Sequence, residues 1–523
     1  MKIKCYKYLL ILPLFFNMII SSSTNINGQA EYFYMLRLEN AKLVNIPFRL
    51  LDLDVQHQVS DSFNVFGNIG IEYRNREDTD FMTDSNLEDF LLDIRELYMS
   101  YYFNNNEIRI GKQIHGWGSV DENSPIDNLN AYDYYYLLLG GSEKKLGAYS
   151  FAYDIESDYF YELLGATQKI SFVYSPMHNT SRIPVNDPDY PIGLPEGSSP
   201  SKENTILNDN TLGEYGVNIK SSFNFGDISL SHLSMYDRIF NVTGINLYNS
   251  GHNNPDFGMV DFFDNNAGIN ELQIFYSYRL TEVNNIGAVF LFDDFTLSFD
   301  YGDFKSEDQN TLNDLAILHP TNPDLFTLET GEPDFFQFEE DIEDPDTGQI
   351  TTVFTGEVAS IPFEEKARYS QLAVQFEMPL ENDFTVNAQY FKHDLYEYSY
   401  SPLPLDDDIE ITNASIDVDE FSLEDIFIPG VGTPYAIITS EAMLINIEKV
   451  FPDNNLTIDI STFLDADRGE GKLVSIEAEY ELESGVELGI GITKIYGDDA
   501  VDNYNFNNME SFSSFRSRLT YYF

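Results

Sequence analysis

The chain ends with Ser513-Ser514-Phe515-Arg516-Ser517-Arg518-Leu519-Thr520-Tyr521-Tyr522-Phe523. Side chains of two kinds alternate along it, which is the period-two pattern of a β-strand. The two faces separate cleanly, the apolar one formed by Phe515, Leu519, Tyr521 and Phe523 and the polar one by Arg516, Arg518, Thr520 and Tyr522. Such a strand suits a wall between lipid and a polar lumen, so it predicts a transmembrane β-barrel. A soluble sheet can also end in this way.

The same alternation recurs further upstream. Apolar and polar residues alternate along 372–378, 384–390, 456–461, 474–482 and 486–493. Short polar turns and long polar stretches separate such segments, like the periplasmic turns and extracellular loops of a barrel. We therefore expect residues 31–523 to form an all-β, transmembrane antiparallel β-barrel with long extracellular loops and about 16 to 18 strands. The region 276–292 fits either one long strand or two short ones.

The composition agrees with a barrel. Among 523 residues there are 35 Tyr, 41 Phe and a single Trp, and the mean hydropathy is -0.27. A membrane protein this polar is most easily built from strands, which expose only every second side chain to lipid. We expect Tyr and Phe to form the aromatic girdles at the membrane surfaces.

Residues 1–30 have the pattern of a secretory signal. Three lysines precede an apolar stretch at 8–20, and Gly28-Gln29-Ala30 places small residues where a signal peptidase cleaves. The alternative is a membrane anchor, but the apolar stretch is shorter than the ~20 residues that a spanning helix needs. We expect the mature chain to begin at Glu31. Cys5 would leave with the signal, so the exported protein would carry no thiol.

One segment carries a family resemblance. Arg109-Ile110-Gly111-Lys112-Gln113, then Trp117-Gly118, and later Pro125-Ile126-Asp127-Asn128, resemble the RIGxQxxxWG…NPxDN signature of a largely uncharacterised group of porin-like outer-membrane barrels. Ser124 stands where that group usually has Asn. The resemblance implies a porin-like barrel, with these motif positions: Gly111, Gln113, Trp117, Gly118, Pro125, Asp127 and Asn128.

The residues of this segment allow two interpretations by themselves. Glycines let backbone approach backbone, either at a structural corner of the barrel or where a loop folds inward as a constriction that contacts solutes. We expect the structural corner. Trp117 would suit the boundary between membrane and water. Lys112 shares the apolar face of its strand and would have to extend toward an interface.

The strand that ends the chain also resembles the C-terminal assembly signal of bacterial outer-membrane barrels. That resemblance implies the barrel assembly machinery as a partner, with Phe523 as the terminal aromatic residue. Outer-membrane lipid is the second partner that the barrel implies. A TonB-dependent receptor is disfavoured, because strand-like sequence follows Glu31 at once and leaves no room for a plug domain.

The charge balance bears on the partners. The chain carries 29 Lys and Arg against 87 Asp and Glu, a formal net charge of -58. Polyanions are repelled, so we exclude nucleic acid, and a polyanionic polysaccharide fits poorly. Adaptation to a saline or divalent-rich medium explains the charge equally well. The acidic runs 339–344 and 406–408 could collect calcium, but they lack EF-hand spacing and equally suit solvated loops.

A second set of charged residues falls on the polar faces of the C-terminal strands. We expect this set to line the lumen, as either a cation-favouring pore or a salt-bridged, partly closed interior. Its members are Asp459, Glu477, Glu479, Glu481, Glu487, Arg516 and Arg518.

Little in the sequence indicates catalysis. The seven histidines are scattered, without an HExxH or G-x-S-x-G motif. We expect no enzyme activity and no cofactor, although a Ser/His site assembled across strands stays open. The expected function is a porin-like channel for passage or uptake of small solutes, favouring neutral or cationic species. The alternatives are a surface barrel whose acidic loops bind a partner or calcium, and a carrier of hydrophobic organic compounds.

Overall fold

The computed structural model shows a closed barrel of 18 antiparallel strands, at the upper end of the predicted range. We number these strands in chain order as β1 Ser23–Arg37, β2 Pro47–Ser60, β3 Phe63–Arg74, β4 Phe90–Phe103, β5 Asn106–Gln113, β6 Ala148–Ser157, β7 Thr167–Ser175, β8 Glu214–Phe223, β9 Gly226–Tyr236, β10 Leu280–Leu291, β11 Thr296–Glu307, β12 Lys366–Leu380, β13 Phe384–Ser399, β14 Glu441–Phe451, β15 Leu456–Asp465, β16 Lys472–Glu483, β17 Val486–Tyr496 and β18 Ser514–Tyr522. The structure describes the chain except at residues 1–22, 45, 75–88, 138–143, 159–160, 162–164, 185–189, 191–204, 206–212, 250–270, 311–334, 344–349, 402–408, 412–413, 417–423, 425–426, 484 and 502–503.

The first and last strands close the barrel. β1 pairs with β2 on one side and with β18 on the other. Gly28 and Phe523 exchange two backbone hydrogen bonds of 2.9 Å, so the final residue completes the ladder. Closure leaves no unpaired edge, which is the condition for a sheet to cross a bilayer.

The predicted signal cleavage point lies inside this closing strand. β1 begins at Ser23, and its residues Ser23 to Ala30 pair with eight residues of β2. Cleavage after Ala30 would remove those eight pairs and keep most of the pairing between β1 and β18. The signal peptide at 1–30 stays a prediction, since residues 1–22 lie outside the described part of the chain.

Connections at the two ends of the barrel differ in length. One end has tight turns, for example at 61–62, 104–105, 224–225 and 381–383, and Asn104 adopts a left-handed conformation with φ 52°. The other end has connections as long as 308–365. By the usual barrel convention, the tight turns are periplasmic and the long loops extracellular.

Two of the long loops contain hairpins that pair with each other. Asn241–Asn249, Glu271–Ser277, Phe335–Glu343 and Ile350–Pro362 form a separate four-stranded sheet. The ambiguous region 276–292 therefore contains the end of one strand, Glu271–Ser277, and the whole of β10. The acidic runs at 339–344 and 406–408 fall where the side chains lie outside the described residues.

Exposure follows the alternation read from the sequence. On β18, Leu519 and Tyr521 are 49% and 51% exposed on the outer surface, whereas the Arg516 and Arg518 side chains are largely buried inside. Ile476, Ile490 and Ile492 are likewise exposed on neighbouring strands. No helix in the described part of the chain is long and apolar enough to cross a membrane. The closed barrel with its apolar outer face is an outer-membrane protein.

Lys112 lies on the outer face, as the alternation predicted. Its cross-strand neighbours are Leu97 and Tyr149, which are both exposed there. The Lys112 ammonium donates a hydrogen bond of 2.5 Å to the carbonyl of Ile94. This long side chain therefore satisfies its charge at the backbone of the adjacent strand.

Candidate functional site

The loop after β5 folds into the barrel. Gly111 has φ 141°, and a Cβ there would lie 2.3 Å from the Leu97 carbonyl oxygen, so only glycine fits at this bend. The chain then leaves the wall and returns to it at β6. We call residues 114–137 and 144–147 the inward loop.

Motif residues build the base of the inward loop. The Gln113 amide donates to the carbonyl of Ser150, and Asn130 bonds both the backbone N–H of His115 and the carbonyl of Gln113. His115 is buried and shares a 2.9 Å hydrogen bond with the Ser150 hydroxyl. Burial lowers the pKa of His115 to about 3, so its imidazole is neutral.

The second half of the motif ties the inward loop to itself. Asp127 accepts a hydrogen bond of 3.0 Å from the Trp117 backbone and pairs with the Lys145 ammonium. The Asn128 amide donates to the Pro125 carbonyl at 2.7 Å. A Cβ on Gly118 would lie 2.5 Å from the Ser124 hydroxyl. The contacts of these motif residues therefore stabilise the fold of the inward loop.

Trp117 does not lie at the boundary between membrane and water, so that prediction was wrong. Its ring packs inside the barrel near Leu233 of β9, and a Cβ on Gly216 of β8 would lie 2.9 Å from it. The prediction failed because it rested on the residue type alone. The inward turn at Gly111 carries the indole into the lumen instead.

The tip of the inward loop is anchored on the opposite wall. Asp300 of β11 accepts hydrogen bonds from the backbone N–H groups of Ser119 and Val120, at 2.7 and 2.9 Å, and from the Ser124 hydroxyl at 2.7 Å. Ser124, the departure from the family signature, thus takes part in the anchor. Sequence reasoning missed Asp300. The sequence feature that could have identified it is an acidic residue on the inner face of a strand, between Ser298 and Gly302.

Asp121 extends the anchor to two further strands. Its backbone N–H donates to the Gln375 side chain at 2.8 Å, and Gln375 donates back to the Asp121 carboxylate at 2.6 Å. Gln389 of β13 donates to the Asp121 carbonyl at 3.2 Å. The inward loop therefore crosses the lumen from β5 to β11, β12 and β13.

A second segment, residues 427–440, enters the lumen from the loop before β14. The Gly432 backbone donates to Asn128 of the inward loop at 2.8 Å, and the Thr433 backbone donates to Gln371 of β12 at 2.7 Å. Gly432 has φ 115°, and a Cβ would lie 2.0 Å from Gln371, so glycine is required. The two segments hold each other in place.

Loops and wall together fill the extracellular half of the lumen with apolar side chains. One buried cluster joins wall residues such as Phe33, Phe391 and Phe463 to loop residues such as Tyr435 and Phe506. A second cluster on the other side of the barrel includes Trp117, Leu233, Phe304 and Tyr369. This half is packed like a domain core.

Below this core lies a chamber between the inward loop and β14 to β16. It is a cavity of about 360 Å³, and an adjoining cavity of about 520 Å³ shares Glu122, Tyr435, Leu444 and Asn446 with it. We call the 360 Å³ cavity the chamber. Its charged lining residues are Glu122, Lys144, Glu448, Asp459, Glu477, Glu479 and Arg516.

The chamber contains four of the seven charged residues predicted to line the lumen, namely Asp459, Glu477, Glu479 and Arg516. Arg516 pairs with Glu477 at 2.5 Å, and Arg518 pairs with Glu479 and, at 3.4 Å, with Glu487. Arg518, Glu481 and Glu487 are not among its lining residues. Counted over the lining residues alone, five carboxylates against two cations give the chamber three net formal negative charges.

The described residues do not form a metal site. Among them, no group of three or more His, Cys, Asp or Glu side chains is arranged to hold a metal ion. The calcium prediction concerned the two acidic loop runs whose side chains lie outside the described part, so it stays a prediction.

The architecture defines a class: a closed outer-membrane β-barrel of 18 strands, with a loop folded into the lumen. No protein-family model matches the chain, and no curated protein matches it. Three solved structures align with it along nearly their whole length, at identities of 9 to 11%.

These structures are OmpF of Salmonella typhi in complex with daunomycin, the outer membrane channel DcaP of Acinetobacter baumannii, and OccAB1 of Acinetobacter baumannii. OmpF covers 97% of this chain and 99% of its own, at 10% identity and a TM-score of 0.39. DcaP covers 96% and 97% at 11% identity and a TM-score of 0.36. OccAB1 covers 97% and 96% at 9% identity and a TM-score of 0.43. The barrel itself is established by this chain's own strand pairing, and nothing about solutes is carried over from these proteins.

Proposed function

We propose that this protein is a channel that passes small solutes and favours neutral and cationic species. The observation that carries the proposal is the net charge of the chamber, with five carboxylates against two cations. A water-filled constriction lined by acids lowers the free energy of cations in it and raises that of anions.

The pairing of the lumenal arginines supports the same preference. Arg516 and Arg518 each contact glutamates of β16, so their charges are compensated within the wall. Arg49 of β2 is compensated in the same way by Asp52 at 3.0 Å and by Asp93 at 2.9 Å. Cations held in this way offer little attraction to a passing anion.

The fold of the loops limits the size of the solute. The inward loop and residues 427–440 occupy the extracellular half, so a solute passes only along gaps between packed side chains or after a displacement of the loops. We therefore expect a smaller conductance than that of an open barrel of 18 strands.

The proposal is tested by ion selectivity in planar bilayers. We expect the reversal potential in a KCl gradient to show a preference for K⁺, and Asp459→Asn to reduce it. Asp453→Asn, the same substitution in an exposed periplasmic turn, is the matched control and should leave the preference unchanged. Anion preference in the unmodified protein, or no conductance at all, contradicts the proposal.

The two alternative functions stay predictions. The acidic loops proposed to bind a partner or calcium lie outside the described side chains. A carrier of hydrophobic compounds would need an apolar passage, whereas the chamber has seven charged residues in its lining. That the protein is not an enzyme also stays a prediction, which an assay of lipid hydrolysis would test.

A further inference from the structure

The chamber differs from a simple acidic constriction in one respect: one side is apolar. Leu444, Phe463 and Leu473 lie directly opposite one another across β14, β15 and β16. Tyr435 and Leu137 of the loops cover this row, and all five side chains line the chamber. We call this the apolar row.

A second row crosses the same three strands nearer the periplasm. Glu448 lies opposite Asp459, and Asp459 lies opposite Glu477. The shift from Phe463 to Asp459 is four residues along one strand, which corresponds to about 13 Å between the backbones of the two rows. We call this the acidic row.

The acidic row is short of positive charge. Like charges directly opposite each other on neighbouring strands repel and destabilise a sheet. Arg516 compensates Glu477 at 2.5 Å, and Asp459 has a neutral donor, the Asn446 amide, at 2.5 Å. Among the described residues, Glu448 and Asp459 form no ion pair within 4.0 Å. A cation beside them would relieve this repulsion.

Unpartnered polar atoms lie in the adjoining cavity, which shares Glu122, Tyr435, Leu444 and Asn446 with the chamber. Asn123 and Gln389 line that cavity, and both residues are at least nine-tenths buried. In the described part of the chain, Asn123 Nδ2 and Gln389 Oε1 have no hydrogen-bond partner. A buried polar atom without a partner costs about 1–3 kcal/mol, so a ligand that reaches these atoms gains binding energy.

From these observations we infer that the chamber is a binding site for a small organic cation with a short alkyl chain, such as a primary alkylammonium. The ammonium group lies at the acidic row, and the alkyl chain extends from it toward the apolar row. A bare metal ion would leave the apolar row without a contact, and an alcohol would leave the acidic row uncompensated. The volume of about 360 Å³ is within the range of small-molecule pockets.

This inference rests on the proposed function and names its solute class. It is tested by isothermal titration calorimetry on the full barrel in detergent, with heat-modifiable migration as the check of folding. The probes are n-butylammonium, methylammonium, n-butyrate and 1-butanol. We expect n-butylammonium to bind more tightly than methylammonium, and we expect no binding of n-butyrate or 1-butanol.

Two variants separate the two rows. Asp459→Asn should weaken n-butylammonium binding about tenfold, which is the loss of one charge-assisted contact. Leu444→Asn should remove the advantage of n-butylammonium over methylammonium. Asp54→Asn, on β2 and outside the lining of the chamber, is the matched control and should bind like the unmodified protein.

The outcomes distinguish this inference from the proposed function. If the barrel is K⁺-selective but does not bind n-butylammonium, or binds n-butyrate equally well, the inference is overturned and the proposed channel function is retained. Binding of n-butylammonium by a barrel without conductance supports the site and overturns the channel. Equal binding by Asp459→Asn and the unmodified protein places the ligand elsewhere and overturns the inference.

Discussion

The two halves of the lumen are built by the same strands but differ in kind. On the inner face of β15, Phe463 packs in the extracellular half among loop side chains and also borders the chamber, whereas Asp459 lies in the acidic row nearer the periplasm. On the inner face of β17, Ile495 is fully buried, whereas Glu487 contacts Arg518. The contrast teaches that a barrel wall sets which residues face inward, while the loops decide whether those residues meet protein or water.

The largest effect is expected from two single substitutions on β15, one in each half of the lumen. Phe463→Asp removes a packed ring and buries a charge, so we expect a loss of about 3–5 kcal/mol of unfolding free energy. Asp459→Phe on the same face should cost much less, because the chamber has room for the ring. Urea unfolding of the barrel in lipid vesicles measures both. Equal losses would show that the two halves are packed alike.

The second-largest effect is expected from a substitution that releases the inward loop. Asp300→Leu removes the acceptor of three hydrogen bonds, each worth about 1.5–3 kcal/mol when the acceptor is charged. We expect the loop tip to detach and the single-channel conductance to rise several-fold. Ser298→Ala, at the preceding inner position of β11, is the control. An unchanged conductance in Asp300→Leu would mean that other contacts hold the loop.

Acidification should loosen the base of the same loop more moderately. The pKa of His115 is about 3 in the folded loop because the imidazole is buried, against about 6.5 when it is exposed. Between these values the exposed form binds a proton and the folded form does not, so stability falls as the pH drops below about 6.5. We expect more frequent opening at pH 5 than at pH 7 in bilayer recordings. His115→Asn should remove that difference, and its persistence would assign the effect to another group.

The smallest effect concerns selectivity. The double change Glu477→Gln with Glu479→Gln leaves one net formal negative charge on the lining of the chamber, since three less two is one. It removes the partner of Arg516 and leaves Arg518 paired with Glu487. We expect the K⁺ preference to fall a few-fold while the barrel still folds, because lumenal substitutions tune selectivity rather than stability. Reversal potentials measure the change. An unaltered preference would show that ions bypass the chamber.

Much of the fold was predictable from the chain alone. The alternation along 474–482 placed Ile476 outside and Glu477 inside, and the structure agrees. The tight turns were found from their polar residues. The signature around Gly111 was predicted to form a structural corner, with an inward loop that contacts solutes as the alternative. Gly111 lies at a bend and the loop after it folds into the lumen, and its contact with solutes stays a prediction.

What the sequence by itself determined is the orientation of each strand residue, because an extended chain points successive side chains in opposite directions wherever it lies. The tertiary structure alone decided which residues meet inside the barrel. Ser119 and Asp300 are 181 positions apart, and Asn123 and Thr433 are 310 apart, yet both pairs are hydrogen-bonded. A local pattern carries no information about a distant partner. The inward loop, its anchor and the chamber therefore exist only once the barrel has closed around them.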